Sequence, residues 1–220
     1  MRRYAQLYGF DFERHIDPSC DRPIAWAKLY LAREKFAEGY DTIFWVDADA
    51  AIRRFDEDIR EHIDAKHMFY FVREEFSEGR VKSRLNSGIF VMRKSELTDR
   101  FLDAALRRDE FTKHVWWDQA AILATFGLWS NFGDNLHRAD ESNEFTEKLK
   151  FLPPRWNRFM GRDVDPDAIV RHFITLTNEA KAAALGIDTI FDEMGTRDQN
   201  REEHFREVVR KLSTMSRSKG

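Results

Sequence analysis

The sequence is poor in cysteine and in long apolar runs, and its opposite charges nearly balance. Cys20 is the single cysteine, which excludes an internal disulfide and the class of disulfide-stapled secreted scaffolds. The net charge of -3 at pH 7 argues against a dedicated nucleic-acid-binding protein, because that class carries a strong basic excess. The longest uncharged run, residues 119–133, is shorter than the roughly 20 apolar residues of a membrane span, and the N-terminus has no apolar signal-peptide core. These absences predict a cytoplasmic protein with no transmembrane segment.

The apolar content is nevertheless high enough for a sizeable core. Hydrophobic residues make up 42% of the chain and include 19 Phe, a composition that a disordered chain does not have. The length of 220 residues favours one domain with a short appendage, and the pattern changes near residue 186. Asn200 and Glu203 have the spacing of a helix-capping box, and an apolar stripe at helical spacing follows them: Phe205, Val208, Val209 and Leu212. We therefore expect a main domain over residues 1–185 and a helical tail over 186–220.

Short apolar runs alternate with helical patterns along the main domain. The helical patterns cover residues 23–39, the segment around Phe55, Ile59 and Ile63, the stretch from Ser95 to about residue 108, and residues 116–126. The strand-like runs are residues 43–46, 68–72, 88–92, 149–152 and 169–174. Such alternation predicts an α/β fold whose mostly parallel sheet is flanked by helices.

The sharpest candidate for a chemical site is Asp47-Ala48-Asp49, which ends the first predicted strand. Ligands of open α/β sheets lie beyond the carboxyl ends of the strands. On an extended chain, the two carboxylates point the same way and can hold a hard divalent cation, which could neutralise a bound diphosphate. The alternative is a solvated turn after the strand.

His172 is a polar residue inside an apolar run and therefore needs a partner or a purpose. One interpretation is a hydrogen-bonded structural histidine. The other is that His172 joins Asp47 and Asp49 in a set of oxygen and nitrogen ligands, which suits Mn²⁺ and is tolerable for Mg²⁺.

Two short polar motifs are further candidates for a binding site. Asn86-Ser87-Gly88 comes before the predicted strand at residue 89 and supplies small polar groups that suit a sugar hydroxyl, although in isolation a simple turn is the favoured explanation. Asp118-Gln119 begins an otherwise apolar helix, where an acidic residue is favourable in any case. The functional interpretation of this pair is recognition of a polyol.

Two aromatic features are interpreted as structural. Trp116 and Trp117 are expected to pack in the core, with a sugar-stacking platform as the alternative. Residues 153–157, with two consecutive prolines, are expected to form a rigid loop, with the wall of an acceptor site as the alternative.

Taken in order, these motifs resemble those of the GT-A glycosyltransferases. The similarity is greatest to the galactosyl/mannosyl/xylosyl-transferase family and to the related glycogenin-like family, and it covers roughly residues 1–180. It rests on five segments in the same order: residues 26–28 (WAK), 40–49 (YDTIFWVDAD), 86–92 (NSGIFVM), 118–119 (DQ) and 172–173 (HF).

The resemblance implies a Rossmann-like GT-A domain and a metal-dependent transferase of polysaccharide biosynthesis. Such an enzyme transfers a hexose or pentose, with retention of configuration, from a UDP- or GDP-sugar to a hydroxyl of a glycan or glycolipid. The expected cofactor is Mn²⁺, or Mg²⁺ in its place. The family's first nucleotide-binding strand precedes the segment that begins here at Tyr4, so we expect that strand to be missing.

The resemblance also implies a role for each matching residue. The expected metal ligands are Asp47, Asp49 and His172. The expected donor-binding residues are Lys28, Asp47, Ala48, Asp49, Asn86, Ser87 and Gly88. The expected catalytic residues are Asp118, Gln119 and Asn86.

Two other functions stay open at this point. The first is a shortened, inactive GT-A domain that serves as a binding or scaffold module, with the C-terminal helix as its docking surface. The second is a metal-dependent phosphoryl or nucleotidyl enzyme on a similar sheet, which would act on a diphosphate bond without sugar transfer.

Overall fold

The computed structural model of the protein describes residues 1–16, 18–74, 84–128, 142–159, 167–174 and 180–186. The α-helices are α1 (Arg2–Tyr8), α2 (Ala27–Ala37), α3 (Glu96–Leu106) and α4 (Trp117–Thr125), and residues 180–186 are also helical. The strands are β1 (Thr42–Val46), β2 (Ala50–Ile52), β3 (Phe69–Glu74), β4 (Arg84–Arg93), β5 (Leu149–Leu152), β6 (Arg158–Phe159) and β7 (Val170–His172). Short 3₁₀ turns connect several of these elements.

The chain divides into two compact units. The first unit contains Met1–Phe12, Val46–Asp58 and Pro154–Gly220, and the second contains Glu13–Trp45 and Ile59–Pro153.

The second unit is built on a four-stranded mixed sheet in the order β1-β4-β3-β5. Strand β3 pairs antiparallel with β4 and parallel with β5. The register between β3 and β4 jumps, because Phe71 pairs with Phe90 whereas the next residue, Val72, pairs with Asn86. Asn86-Ser87-Gly88 therefore lies within β4, at this irregularity, and the expectation that it forms a turn before the strand is wrong.

Helices α2, α3 and α4 contribute the apolar side chains that cover this sheet. Ser95 caps α3 as expected, since its side chain accepts a hydrogen bond of 3.1 Å from the backbone N–H of Thr98. Phe101 of α3 contacts Phe126, which follows α4, at 4.5 Å between ring centroids, and Phe69 of β3 lies 4.6 Å from Phe101. These rings are fully buried, so packed phenylalanine side chains form part of the core of this unit.

The first unit contains a small mixed sheet in the order β2-β7-β6. Strand β7 pairs antiparallel with β2 and parallel with β6, and Ala50 lies opposite His172. Helix α1 packs its aromatic residues in the same unit, where the ring of Tyr4 contacts the buried Trp156 edge to face.

The helix expected around Phe55, Ile59 and Ile63 is wrong, because the structure has only a 3₁₀ turn over Ile59–His62. The backbone carbonyls at the start of this segment are used by tertiary hydrogen bonds. The hydroxyl of Tyr8 donates to the carbonyl of Phe55 at 2.8 Å, and that of Tyr4 donates to the carbonyl of Glu57 at 3.1 Å. These hydrogen bonds tie the segment to α1 in its observed, non-helical conformation.

The α/β class with mixed sheets and flanking helices is confirmed. The expected strands all occur. A mostly parallel sheet was expected, but antiparallel pairings occur beside the parallel ones. Strand β1 is only half-buried, because it lies at an edge of its sheet. Three elements, α1, β2 and β6, were not expected from the sequence pattern. The predicted helix over residues 200–212 lies outside the described residues. Within the described ranges, no helix combines the length and the apolar character that a membrane span requires.

Candidate functional site

Asp47 and Asp49 lie in the tight connection between β1 and β2. The backbone N–H of Ala50 donates to the carbonyl of Asp47 at 3.0 Å, which closes a turn over these residues. The expectation of an extended Asp-Ala-Asp segment is therefore wrong. The two carboxylates nevertheless lie close together, because the turn leads directly into β2 of the three-stranded sheet.

The antiparallel pairing of β2 with β7 brings His172 to these aspartates. The backbone N–H of Phe173 donates to the carbonyl of Asp49 at 2.9 Å, next to the Ala50–His172 pair. Nε2 of His172 lies 3.1 Å from Oδ1 of Asp49. The histidine side chain is only 2% exposed, whereas that of Asp49 is 24% exposed, so the group opens to solvent on its aspartate side.

Asp47, Asp49 and His172 form a group that could hold a metal ion. Each side chain offers one ligand atom, and these atoms all lie within 4.8 Å of one another. The distance of 3.1 Å between Nε2 and Oδ1 matches the separation of about 3 Å expected for neighbouring ligands around an octahedral ion with bonds of about 2.1 Å. Two carboxylates and one imidazole suit Mn²⁺ or Mg²⁺.

Asn157 fixes the orientation of the His172 ring. The ring Nδ1 lies 2.9 Å from Oδ1 of Asn157, and because an amide oxygen accepts hydrogen bonds, this contact favours the tautomer with the hydrogen on Nδ1. In the neutral imidazole, Nε2 then has a lone pair that faces the carboxylate of Asp49. A divalent cation could bind between these two acceptor atoms. A metal-binding histidine is commonly oriented in this way by an acceptor on its other nitrogen.

Lys181 adds a positive charge to the same group. Its Nζ lies 2.6 Å from Oδ2 of Asp49. Burial by itself would raise the pKa of the Asp49 carboxyl, but the contacts with His172 and Lys181 outweigh it and hold the pKa well below its usual range. Asp49 is therefore a carboxylate over the physiological pH range and can serve as a ligand for a cation.

A second polar group lies within the other compact unit. Nζ of Lys28 lies 3.4 Å from Oδ2 of Asp118, and each of the two side chains is 4% exposed. The same carboxylate oxygen accepts a hydrogen bond of 2.8 Å from the hydroxyl of Ser87, and Lys28 donates to the Ser87 carbonyl at 3.2 Å. Helix α2, strand β4 and helix α4 thus each contribute one side chain to a buried ionic network.

Asn86 and Gln119 extend this network. Nδ2 of Asn86 donates to Oε1 of Gln119 at 2.9 Å, and the backbone N–H of Ser87 donates to the same oxygen at 3.2 Å. The backbone N–H of Gly88 donates to Oδ1 of Asn86 at 2.9 Å. The structure thus brings together all the expected site residues of α2, β4 and α4. Asp47, Ala48, Asp49 and His172 belong to the first unit.

Two residues that contact the metal-capable group, Asn157 and Lys181, were not expected there from the sequence. Asn157 was expected to be part of a structural loop, and neither residue was expected to contact the metal ligands. Asn157 follows a 3₁₀ turn at Pro154–Trp156, and its backbone N–H closes that turn on the carbonyl of Pro154 at 3.0 Å. The two adjacent prolines were the signal for a rigid segment, but nothing in the sequence links it to His172.

The two tryptophans before Asp118 behave differently from each other. Trp116 packs against the core as expected. The expectation is wrong for Trp117, whose side chain is 45% exposed and whose φ of 42° lies in the left-handed region. A bulky residue is rare in that region because its Cβ approaches its own backbone.

Comparison with known proteins supports the fold assignment. No protein-family model matches the chain, and no curated protein matches it. A solved structure, the crystal structure of a glycosyltransferase involved in the glycosylation of the major capsid of PBCV-1, is similar with a TM-score of 0.54. The sequences are 15% identical, and the match covers 94% of this chain and 88% of that chain. The chain therefore has the fold of a glycosyltransferase.

Proposed function

We propose that the protein is a metal-dependent glycosyltransferase. It transfers a hexose or pentose, with retention of configuration, from a nucleotide-diphospho-sugar to a hydroxyl of a glycan or glycolipid, as a cytoplasmic enzyme of polysaccharide biosynthesis. The proposal places the chain with the galactosyl/mannosyl/xylosyl-transferases and the glycogenin-like enzymes, which its motifs resemble. We also propose a catalytic domain over residues 1–185 with the remainder as a tail.

The observation that carries the proposal is the Asp47, Asp49 and His172 group on this fold. The donor set suits Mn²⁺ or Mg²⁺, and His172 is already oriented by Asn157 with Nε2 towards Asp49. A divalent ion bound there would act as a Lewis acid and neutralise the charge that develops on a departing diphosphate.

The network around Asp118 supports the part of the proposal that concerns the sugar. A buried ion pair is expensive to form, and a hydrophobic pair of similar size is often at least as stable, so its presence favours a functional reason. The mutual hydrogen bonds hold these side chains in fixed orientations, as recognition of a polyol requires. We propose that Lys28, Asn86, Ser87 and Gly88 bind the donor and that Asn86, Asp118 and Gln119 hold its sugar at the reacting carbon.

The test combines binding and turnover. The purified protein is mixed with UDP, GDP and their common sugars, with and without Mn²⁺, and the melting temperature and the release of free nucleoside diphosphate are measured. We expect one nucleotide to raise the melting temperature only when Mn²⁺ is present, because binding to the folded state stabilises it by mass action. In the presence of Mn²⁺, the protein should also slowly hydrolyse the sugar derivative of that nucleotide.

The critical variant is Asp49→Asn, which keeps the size of the side chain but weakens its affinity for a cation. We expect it to lose the Mn²⁺-dependent shift and at least about 100-fold in turnover, as removal of electrostatic transition-state stabilisation usually does. The matched control is Asp99→Asn, since Asp99 is also an aspartate paired with a lysine, Lys94. Undiminished turnover in Asp49→Asn would contradict the proposal. Nucleotide binding without any turnover would favour the scaffold module, and hydrolysis of the diphosphate bond would favour the phosphoryl enzyme.

A further inference from the structure

Lys181 is held against the metal-capable group by the packing of a short helical segment. Residues 180–186 are helical, and their small residues Ala180 and Ala184 are buried one turn apart on the same face. Lys181 directly follows Ala180 in the sequence, and its side chain is 22% exposed. The ammonium therefore reaches Asp49 from a helix that is fixed by apolar contacts on the adjoining face.

Both oxygens of the Asp49 carboxylate are engaged in this arrangement. Oδ1 faces Nε2 of His172 at 3.1 Å, and Oδ2 is 2.6 Å from Nζ of Lys181. A metal ion that binds Asp47, Asp49 and His172 must share this carboxylate with a cation already in contact with it. Two like charges on one carboxylate, at the low effective dielectric of a half-buried site, repel each other strongly.

We propose that Lys181 is an internal counter-ion that competes with the divalent cation for Asp49. This inference rests on the metal centre of the proposed function. When no metal is bound, the ammonium of Lys181 neutralises the negative charge of the Asp49 carboxylate. Metal loading then includes displacement of Lys181 from Oδ2, and this exchange lowers the affinity of the site for the ion.

The test measures Mn²⁺ binding directly, by isothermal titration and by the electron paramagnetic resonance signal of free Mn²⁺. We expect Lys181→Met to bind Mn²⁺ with a dissociation constant at least about tenfold lower than the wild type, which corresponds to the loss of one charge-assisted hydrogen bond. Met keeps the length and the apolar stem of the side chain. Lys181→Gln provides a second neutral variant that is independent of how Met packs, and Lys181→Arg should keep the affinity close to that of the wild type.

A second readout is the increase in melting temperature on addition of Mn²⁺. We expect this increase to be larger in Lys181→Met than in the wild type, because the stabilisation grows with the ratio of metal concentration to dissociation constant. The matched control is Lys94→Met, which removes an ammonium that lies 2.7 Å from Asp99. This control removes the same charge and should leave Mn²⁺ binding unchanged.

Equal or weaker Mn²⁺ binding in both neutral variants overturns the inference and leaves the proposed metal centre intact. A similar gain in Lys94→Met also overturns it, since the effect would then come from net charge alone. If neither the wild type nor the variants bind Mn²⁺, the proposed metal centre is wrong, and the proposed competition is wrong as well. Failure of the inference and failure of the proposed function are therefore distinguishable.

Discussion

The buried ion pair between Lys28 and Asp118 permits a quantitative prediction about stability. Each side chain is 4% exposed, and the charged atoms are 3.4 Å apart. Lys28→Met removes one charge and leaves the carboxylate of Asp118 buried beside Ser87. Breaking a buried pair from one side costs about 3–5 kcal/mol, because the remaining charge stays desolvated. We expect the free energy of unfolding of Lys28→Met to fall by that amount.

The double variant Lys28→Met/Asp118→Leu separates this explanation from ordinary packing damage. Replacement of both charges by apolar groups removes the stranded charge, so the double variant should be more stable than Lys28→Met alone and the two effects should be non-additive by about 2 kcal/mol. The surface pair of Lys94 with Asp99 provides the control, and Lys94→Met should cost less than about 1 kcal/mol.

The assay is urea-induced unfolding followed by tryptophan fluorescence and by far-ultraviolet circular dichroism. At slopes of about 2–3 kcal/mol per molar urea, the expected loss in Lys28→Met lowers the midpoint by about 1 M or more. A loss no larger than that of Lys94→Met would refute the reasoning, because the buried charge would then be compensated by its surroundings. Additive effects in the double variant would refute it as well.

Two further predictions concern residues that the structure singles out. Trp117 has a φ of 42°, so Trp117→Gly should be more stable than Trp117→Ala by about 1 kcal/mol in urea unfolding, the reverse of the usual preference at a helical position; equal stability would contradict strain at this residue. Asn157 accepts from Nδ1 of His172, so Asn157→Leu should weaken Mn²⁺ binding at least about tenfold in calorimetry, whereas Asn157→Asp should retain an acceptor and most of the affinity. Unchanged binding in Asn157→Leu would show that the hydrogen bond does not prepare the ring.

Elements that depend on local signals were predictable from the sequence. Ser95 has the side chain of a helix cap, and the helix that follows it begins where expected. The β-prone segments at residues 68–72 and 149–152 contain strands β3 and β5, as their short runs of branched and aromatic residues predict. The segment at residues 55–63 has equally regular helical spacing, yet it is not an α-helix and its carbonyls are hydrogen-bonded to the tyrosine hydroxyls of α1, and no local pattern reveals such distant partners.

The sequence by itself determined which residue types are available for chemistry and roughly where strands and helices begin. Asp47, Asp49 and His172 were candidates because a carboxylate pair after a strand and a histidine inside an apolar run are unusual in their local settings. Only the tertiary structure decided that these three side chains meet, because the pairing of β2 with β7 joins segments that are far apart in the chain. It also decided the contacts of Asn157 and Lys181, since hydrogen bonds and ion pairs act over a few ångströms and depend on distance in space, which separation along the chain does not determine.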